Sequence, residues 1–244
     1  MNIVIILAGG TGTRLGGDIP KQYIEVEGKP VIGYCLDTVF GHSSVDAVQI
    51  VADISWRNYV SDYLENAKEI PEEKRSKWKG FSEPGFNRQM SIYHALEDCL
   101  QYASSGDYVM IHDAARPLIS NACITASFEE AKNCDGVLPV LPMKDTVYLS
   151  EDGKRVSSLL KREQVFAGQA PEIFQLGKYY KATRALLPDR IKAVNGSTEP
   201  AIMAGMDIAM IEGDERNFKI TTKTDLERFK QILISEKEGG NESV

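Results

Sequence analysis

Long apolar runs are missing from this 244-residue chain: none approaches the roughly 20 residues that a membrane-spanning helix needs. Cysteine is scarce. Cys35, Cys99, Cys123 and Cys134 stand apart with no C-x-x-C spacing, which fits buried free thiols better than a disulfide framework or a zinc site. Positive charge is not in excess. Lys and Arg number 28 against 35 Asp and Glu, and the formal net charge of −7 argues against bulk binding to nucleic acid, so local cations must hold any phosphate. No repeat or low-complexity block interrupts the chain. No basic stretch precedes the first apolar run, so the expectation is a cytoplasmic protein without a signal peptide. What remains, 43% hydrophobic and 26% charged residues, is ordinary for a globular chain, and the length suits one large α/β domain.

What the chain does carry is concentrated at its start. Ile3-Val4-Ile5-Ile6-Leu7 is an apolar run of strand length that breaks into Ala8-Gly9-Gly10-Thr11-Gly12-Thr13-Arg14-Leu15-Gly16, followed by Pro20-Lys21-Gln22. Without a Cβ, Gly9, Gly10 and Gly12 are expected to take positive φ and bring their amides close to phosphate oxygens. Arg14 and Lys21 add full positive charge beside the negative charge of a phosphoryl or nucleotidyl transfer. Loop and cations together point to a nucleoside triphosphate.

Other readings of this stretch fit less well. A dinucleotide fold wants G-x-G-x-x-G, but Gly10-Thr11-Gly12-Thr13-Arg14-Leu15 ends in leucine, and no acid closes a second strand about 20 residues on. A P-loop wants G-x-x-x-x-G-K-[ST], and neither Gly10 nor Gly12 leads into such a pair. A turn rich in glycine for steric reasons alone leaves Arg14, Pro20 and Lys21 unexplained.

Downstream, strand and helix patterns alternate as a parallel sheet requires. Residues 31–40 have a helical period, 46–52 read as a strand and 59–67 as a helix, while the charged residues 68–79 read as a surface excursion. A helix over about 89–102 follows Gly85-Phe86-Asn87-Arg88. A short strand at 108–111 then ends in His112-Asp113-Ala114-Ala115-Arg116-Pro117. Such strand ends are where open α/β sheets hold ligands, and Asp113 there suits Mg2+ bridging the phosphates of a triphosphate. A helix at 121–132 and a strand at 136–142 lead to a protruding β-arm that turns at Glu151-Asp152-Gly153-Lys154. A helix at 176–187, a strand at 206–211 and a last helix capped by Thr224 complete the pattern, with disorder expected over 236–244.

The string Leu7 to Gly16 and Pro20-Lys21-Gln22-Tyr23, with Gly28-Lys29-Pro30 behind them, resemble the signature of the sugar-nucleotide and polyol-nucleotide pyrophosphorylases. The Pro-Lys-Gln form is similar to the CDP-alditol-forming cytidylyltransferases, which act on methylerythritol phosphate or ribitol 5-phosphate. His112 to Pro117 and Asn217-Phe218-Lys219-Ile220-Thr221 match the same family, and the likeness covers residues 3 to about 234. It implies a Rossmann-like, three-layer α/β nucleotidyltransferase domain over residues 1–235, with a mostly parallel sheet and the β-arm at about 143–165.

The resemblance also implies roles. Ala8, Gly9, Gly10, Gly12 and Thr13 would bind the nucleotide, and Arg14 and Lys21 would stabilise the α-phosphate and the departing pyrophosphate. Gly85, Arg88 and Ser91 match the pattern for cytosine and ribose contacts, with Arg88 within reach of phosphate. Taken alone, that segment reads as an ordinary helix N-terminus with a solvated arginine. The base would lie against Gly85 and Phe86. Asp113 would hold Mg2+, with Ala114 beside it on the nucleotide; Arg116 would organise the loop and His112 would be structural. The arm would cross to a second subunit of a homodimer, where Thr146 and Arg162 would hold the acceptor phosphate; unaided, it reads almost equally well as a solvated hairpin. Lys219 would meet the attacking phosphate and Thr198 would sit at the acceptor. Ala170 stands where threonine is usual, Glu172 where glutamine is usual, and Glu199-Pro200 breaks the family's string, so acceptor contacts are expected to differ. Asp214 and Glu215 are not counted as metal ligands.

The implied reaction is CMP transfer from CTP to a polyol phosphate, giving a CDP-alditol and pyrophosphate without a covalent enzyme intermediate. Ala8-Gly9-Gly10, and Gly168 before Gln169, look more like the ribitol-phosphate branch, which serves teichoic acid synthesis. The alternative acceptor is 2-C-methyl-D-erythritol 4-phosphate, of the isoprenoid pathway. A non-catalytic nucleotide-binding regulator on the same fold is the rival from another class, and the presence of Arg14, Lys21, Asp113 and Lys219 together argues against it. An NAD-dependent enzyme is remoter still.

Overall fold

Strand β1 (Asn2–Leu7) is central because it is apolar on both faces. Ile3 and Ile5 pack to one side and Val4 and Ile6 to the other, all four fully buried. Each contributes roughly 1.5–3 kcal/mol by leaving water. The computed structural model describes residues 1–12 and 19–241. After β1 come a small hairpin, β2 (Glu25–Val26) and β3 (Lys29–Pro30), then α1 (Val31–Gly41), β4 (Ala47–Val51), α2 (Ile54–Asn66), α3 (Glu72–Arg75), β5 (Trp78–Ser82), α4 (Arg88–Cys99) and β6 (Tyr108–Asp113). The second half runs α5 (Asn121–Glu130), β7 (Gly136–Pro142), β8 (Tyr148–Leu149), β9 (Ser158–Leu159), β10 (Phe166–Gly168), β11 (Glu172–Gln175), α6 (Leu176–Arg184), α7 (Thr198–Met203), β12 (Ile208–Glu212) and α8 (Lys223–Asn241).

Among the described residues, eight strands form one mixed sheet. β1 lies between β4 and β6, parallel to both, and β5 extends the parallel run beyond β4. β11 runs antiparallel between β6 and β7, while β12 is parallel to β7. Helices α1, α2 and α5 bury Leu36, Phe40, Leu64 and Phe128 on one face. On the other, α4 and α6 bury Ile92, Leu96, Leu176 and Tyr179. The three layers follow from this two-faced burial. Strands β8 and β9 pair antiparallel in the expected arm, where Tyr148, Leu149, Val156 and Leu159 are exposed.

Several elements differ from the sequence expectation, each for a local reason. α2 starts at Ile54 because the Asp53 side chain caps it, accepting from the Ser55 N–H at 3.0 Å. Residues 68–79, expected to be only a surface excursion, hold α3 and the start of edge strand β5. Two of their lysines are structural. Lys74 Nζ donates to the Gly41 carbonyl at 2.7 Å, and Lys77 Nζ donates to those of Phe40 (2.9 Å) and His42 (2.7 Å), closing the C-terminus of α1. The cap of α8 is Thr222, whose hydroxyl accepts from the Asp225 N–H at 3.2 Å, and not Thr224. α8 then continues to Asn241, past the expected start of disorder at 236. Two ion pairs hold it there, Glu236 with Arg216 and Lys237 with Glu27.

Candidate functional site

The parallel strands β1, β4 and β6 bring Leu7, Val51 and Asp113 to one cleft of about 460 Å3, which the glycine loop, the start of α4 and Lys219 complete. The loop is fastened from behind. Gln22 Nε2 donates to the Ala8 carbonyl at 2.6 Å and to that of Gly10 at 2.7 Å, and the Tyr23 hydroxyl donates to Ala8 at 3.1 Å. The Tyr23 ring stacks on Trp56 with centroids 4.3 Å apart. Ala8 is therefore a buried anchor, while Gly9, Gly10, Gly12 and Lys21 line the cleft. Of these glycines only Gly12 takes the expected positive φ, at 65°. Gly9 is required by contact instead: a Cβ there would lie 2.7 Å from that of Pro84. Thr13 and Arg14 lie outside the described residues.

A charged cluster forms the floor. Asp113 Oδ1 accepts from Arg88 Nε at 3.1 Å, Oδ2 faces Lys219 Nζ at 2.9 Å, and Arg116 Nε stands 3.7 Å away. Burial works to raise the Asp113 pKa, but Arg88, Lys219 and Arg116 outweigh it and hold the carboxyl well below the usual carboxylate range. Asp113 is thus ionised, a hard oxygen donor of the kind Mg2+ takes. Among the described residues no group of three or more His, Cys, Asp or Glu is placed to hold a metal ion by itself. His112 is fully buried: its Nε2 bonds the Arg116 carbonyl at 2.9 Å, and burial pushes its pKa down to about 4.

Lys219 is positioned by backbone ties to two neighbouring segments. Arg116 Nη1 donates to the Asn217 carbonyl at 2.6 Å, Asn217 Nδ2 to the Ala170 carbonyl at 2.7 Å, and the Ile220 N–H to the Ala115 carbonyl at 2.8 Å. Ala114 is fully buried, donating to the Leu7 carbonyl, so Ala115 is the residue of that pair that lines the cleft. The carboxylates of Asp214 and Glu215 are otherwise engaged: Asp214 Oδ1 accepts from the Arg216 N–H at 2.7 Å, and Glu215 pairs with Lys144.

Gly85, Phe86, Arg88 and Ser91 all line the cleft. The Ser91 hydroxyl accepts from the Gly85 N–H at 2.9 Å, and Phe86 is 66% exposed at the mouth. Asn87, which sequence reasoning passed over, caps α4 by accepting from the Met90 N–H at 2.8 Å. Its signal was its position, an amide side chain just ahead of a helical period. Arg88 is committed within the protein: besides Asp113 it reaches the Ser197 hydroxyl through Nη1 and Glu172 Oε2 through Nη2 at 3.5 Å. Thr198 is buried and donates to Glu172 Oε1 at 3.2 Å. Thr146 and Arg162 are exposed on the arm and absent from the lining of this cleft, Arg162 donating to the Lys144 carbonyl at 3.1 Å. No helix among the described residues is long and apolar enough to cross a membrane.

The family model described as 2-C-methyl-D-erythritol 4-phosphate cytidylyltransferase, IspD, matches residues 2–235. A ribitol-5-phosphate cytidylyltransferase of Streptococcus agalactiae serotype V is 31% identical over 236 residues, covering 95% of each chain. A 2-C-methyl-D-erythritol 4-phosphate cytidylyltransferase of Thermotoga neapolitana is 33% identical over 232 residues, covering 95% of this chain and 96% of its own. Among solved structures, the Anaerococcus prevotii 4-diphosphocytidyl-2C-methyl-D-erythritol synthase shares the fold, with a TM-score of 0.80 at 22% identity over 96% of each chain. The Francisella tularensis 2-C-methyl-D-erythritol 4-phosphate cytidylyltransferase gives 0.76 at 27% identity, covering 94% of this chain and 98% of its own.

Proposed function

The chain belongs to the IspD family and is a cytidylyltransferase; from that premise we propose that it moves CMP from CTP to ribitol 5-phosphate, releasing pyrophosphate. The observation that carries the reading is the meeting of the glycine loop, Lys21, Asp113 and Lys219 in one cleft at the ends of β1 and β6. An oxygen of the acceptor phosphate attacks the α-phosphorus in line. A new P–O bond forms, the bond from the α-phosphorus to the bridging oxygen breaks, and pyrophosphate leaves with the electron pair. The nucleophile is already anionic, so no general base is required, and the protein's task is positioning and charge neutralisation. Lys21, with Arg14, neutralises the α-phosphate and the leaving pyrophosphate, and Lys219 receives the acceptor phosphate. Asp113 would hold Mg2+, which would supply charge neutralisation of the triphosphate. Gly85 and Phe86 take the base.

The acceptor is assigned on Ala8-Gly9-Gly10 and Gly168, and the S. agalactiae relatives agree with it in name. The similar identity to the T. neapolitana protein keeps methylerythritol phosphate as the second reading. In a homodimer, the arm's exposed apolar side chains would be covered by a second subunit, bringing Thr146 and Arg162 to that subunit's acceptor. The test is pyrophosphate release with CTP and Mg2+, offering the two polyol phosphates side by side. Ribitol 5-phosphate is expected to turn over faster. Preference for methylerythritol phosphate would reassign the acceptor, and turnover of neither would overturn the polyol-phosphate reading.

A further inference from the structure

Arg88 sits in the cleft wall, yet its guanidinium is spent on the protein. Nε bonds Asp113 at the end of β6, Nη1 meets the Ser197 hydroxyl ahead of α7, and Nη2 stands 3.5 Å from Glu172 at the start of β11. Glu172 is 8% exposed and does not line the cleft. Its other oxygen accepts from Thr198 Oγ1 at 3.2 Å. One buried carboxylate thus links an arginine of the nucleotide side to Thr198 at the start of α7. Burial raises the Glu172 pKa and the Arg88 charge beside it opposes that; ionised, Glu172 joins Asp113 against Arg88, Arg116 and Lys219 in the floor. Glu172 Oε2 has no hydrogen-bond partner among the described residues, so its tie to Arg88 is one of charge. A glutamine, the residue usual in the sequences this chain resembles, could keep the single hydrogen bond, its NH2 donating to the Thr198 hydroxyl, and turn its oxygen to Arg88. At a pH where Glu172 is ionised, it would leave the floor one unit more positive.

We propose that Glu172 is a positioning residue that holds Arg88 as a strut across the cleft floor and withholds its charge from the phosphates of the nucleotide and of pyrophosphate. The proposal rests on the cytidylyltransferase reading only for the ligand it names. It departs from the sequence expectation, in which Arg88 reaches phosphate itself.

The direction of the effect separates this role from a merely structural one. Loss of a structural buried acid weakens ligand binding, whereas release of Arg88 tightens it. The experiment is calorimetric titration of the full-length protein with pyrophosphate, and with CTP, each with Mg2+. Glu172→Gln is expected to lower both dissociation constants about fivefold, from one unit charge acting at roughly 10 Å through an effective dielectric of about 20 and partly screened by salt. Ser197→Ala, which removes another Arg88 partner and leaves the acid in place, should shift them the same way by less. Unchanged or weaker binding in a folded Glu172→Gln protein would overturn the proposal. If that variant does not fold, Ser197→Ala decides alone, and weaker binding there counts against it. The pyrophosphate arm needs no turnover, so an inactive wild type would refute the cytidylyltransferase reading while the comparison of affinities still decides the role of Glu172.

Discussion

Lys21 enters the cleft from a turn fastened by the two residues that follow it. Gln22 and Tyr23 together make three hydrogen bonds to the glycine loop, so the lysine and the backbone amides beside it form one preorganised unit. Preorganised cations of this kind act on charge that develops in the transition state, without reorganisation at the moment of reaction. Replacing Lys21 by alanine is expected to cost about 2–4 kcal/mol of transition-state stabilisation, by analogy with loss of a single oxyanion donor. Steady-state measurement should show kcat/KM lowered by that factor with the fold intact. Near-normal turnover would remove Lys21 from the machinery. Gln22 was legible only as part of a string, because nothing in a sequence tells which carbonyls an amide will find. Arg88 and Glu172 illustrate the same limit: their residue types were visible, but their pairing joins α4 to β11 and depends on the sheet order.

The elements themselves were more legible, and the exceptions share a cause. β1, β4 and β6 are buried on both faces and write themselves as apolar runs, whereas edge strand β5 has one neighbour and keeps Lys79 exposed. Helix starts depend on single hydrogen bonds, and Thr222 and Thr224 offer the same hydroxyl to the cap of α8. At that cap Asp225 Oδ2 accepts from the Thr221 N–H (2.9 Å), the Thr221 hydroxyl (2.8 Å) and the Thr222 N–H (2.8 Å). Burial favours the neutral acid, but these bonds prevail and bring its pKa from 3.8 to about 2. A carboxyl lowered on folding adds stability that is fully present above its unfolded value, near 3.8, and is lost as pH falls towards about 2. Discounted for solvent screening, the contribution is about 1 kcal/mol. Asp225→Asn should therefore unfold at lower urea than wild type at pH 7, with the gap narrowing by pH 3. A constant gap would mean that the cap acts through geometry and not through charge. Its position matters because Lys219 lies just ahead of it, so fraying of α8 would loosen a residue of the cleft.

At the scale of the whole molecule, one subunit leaves two expected acceptor residues unused. Thr146 and Arg162 stand exposed on the arm, away from the cleft that holds Lys219, and Tyr148, Val156 and Leu159 on the same arm are exposed as well. A homodimer in which each arm serves the other subunit's cleft accounts for both facts, and it makes a demand that an arm acting within its own subunit does not. Arg162→Ala and Lys219→Ala should each be severely impaired alone. In a dimer mixed from the two, one cleft would combine both defects, while the other would have an intact Lys219 and an intact Arg162 supplied from across the interface. Co-expression at equal levels should therefore restore about one quarter of the sites, since about half of randomly assembled dimers are mixed and each mixed dimer has one complete site. Pyrophosphate release by the purified mixture measures the recovery, and sedimentation of the wild type tests for the dimer. If the arm serves its own cleft, mixing restores nothing, because each subunit carries its own lesion. If Arg162 takes no part in the reaction, the Arg162→Ala protein is active before any mixing.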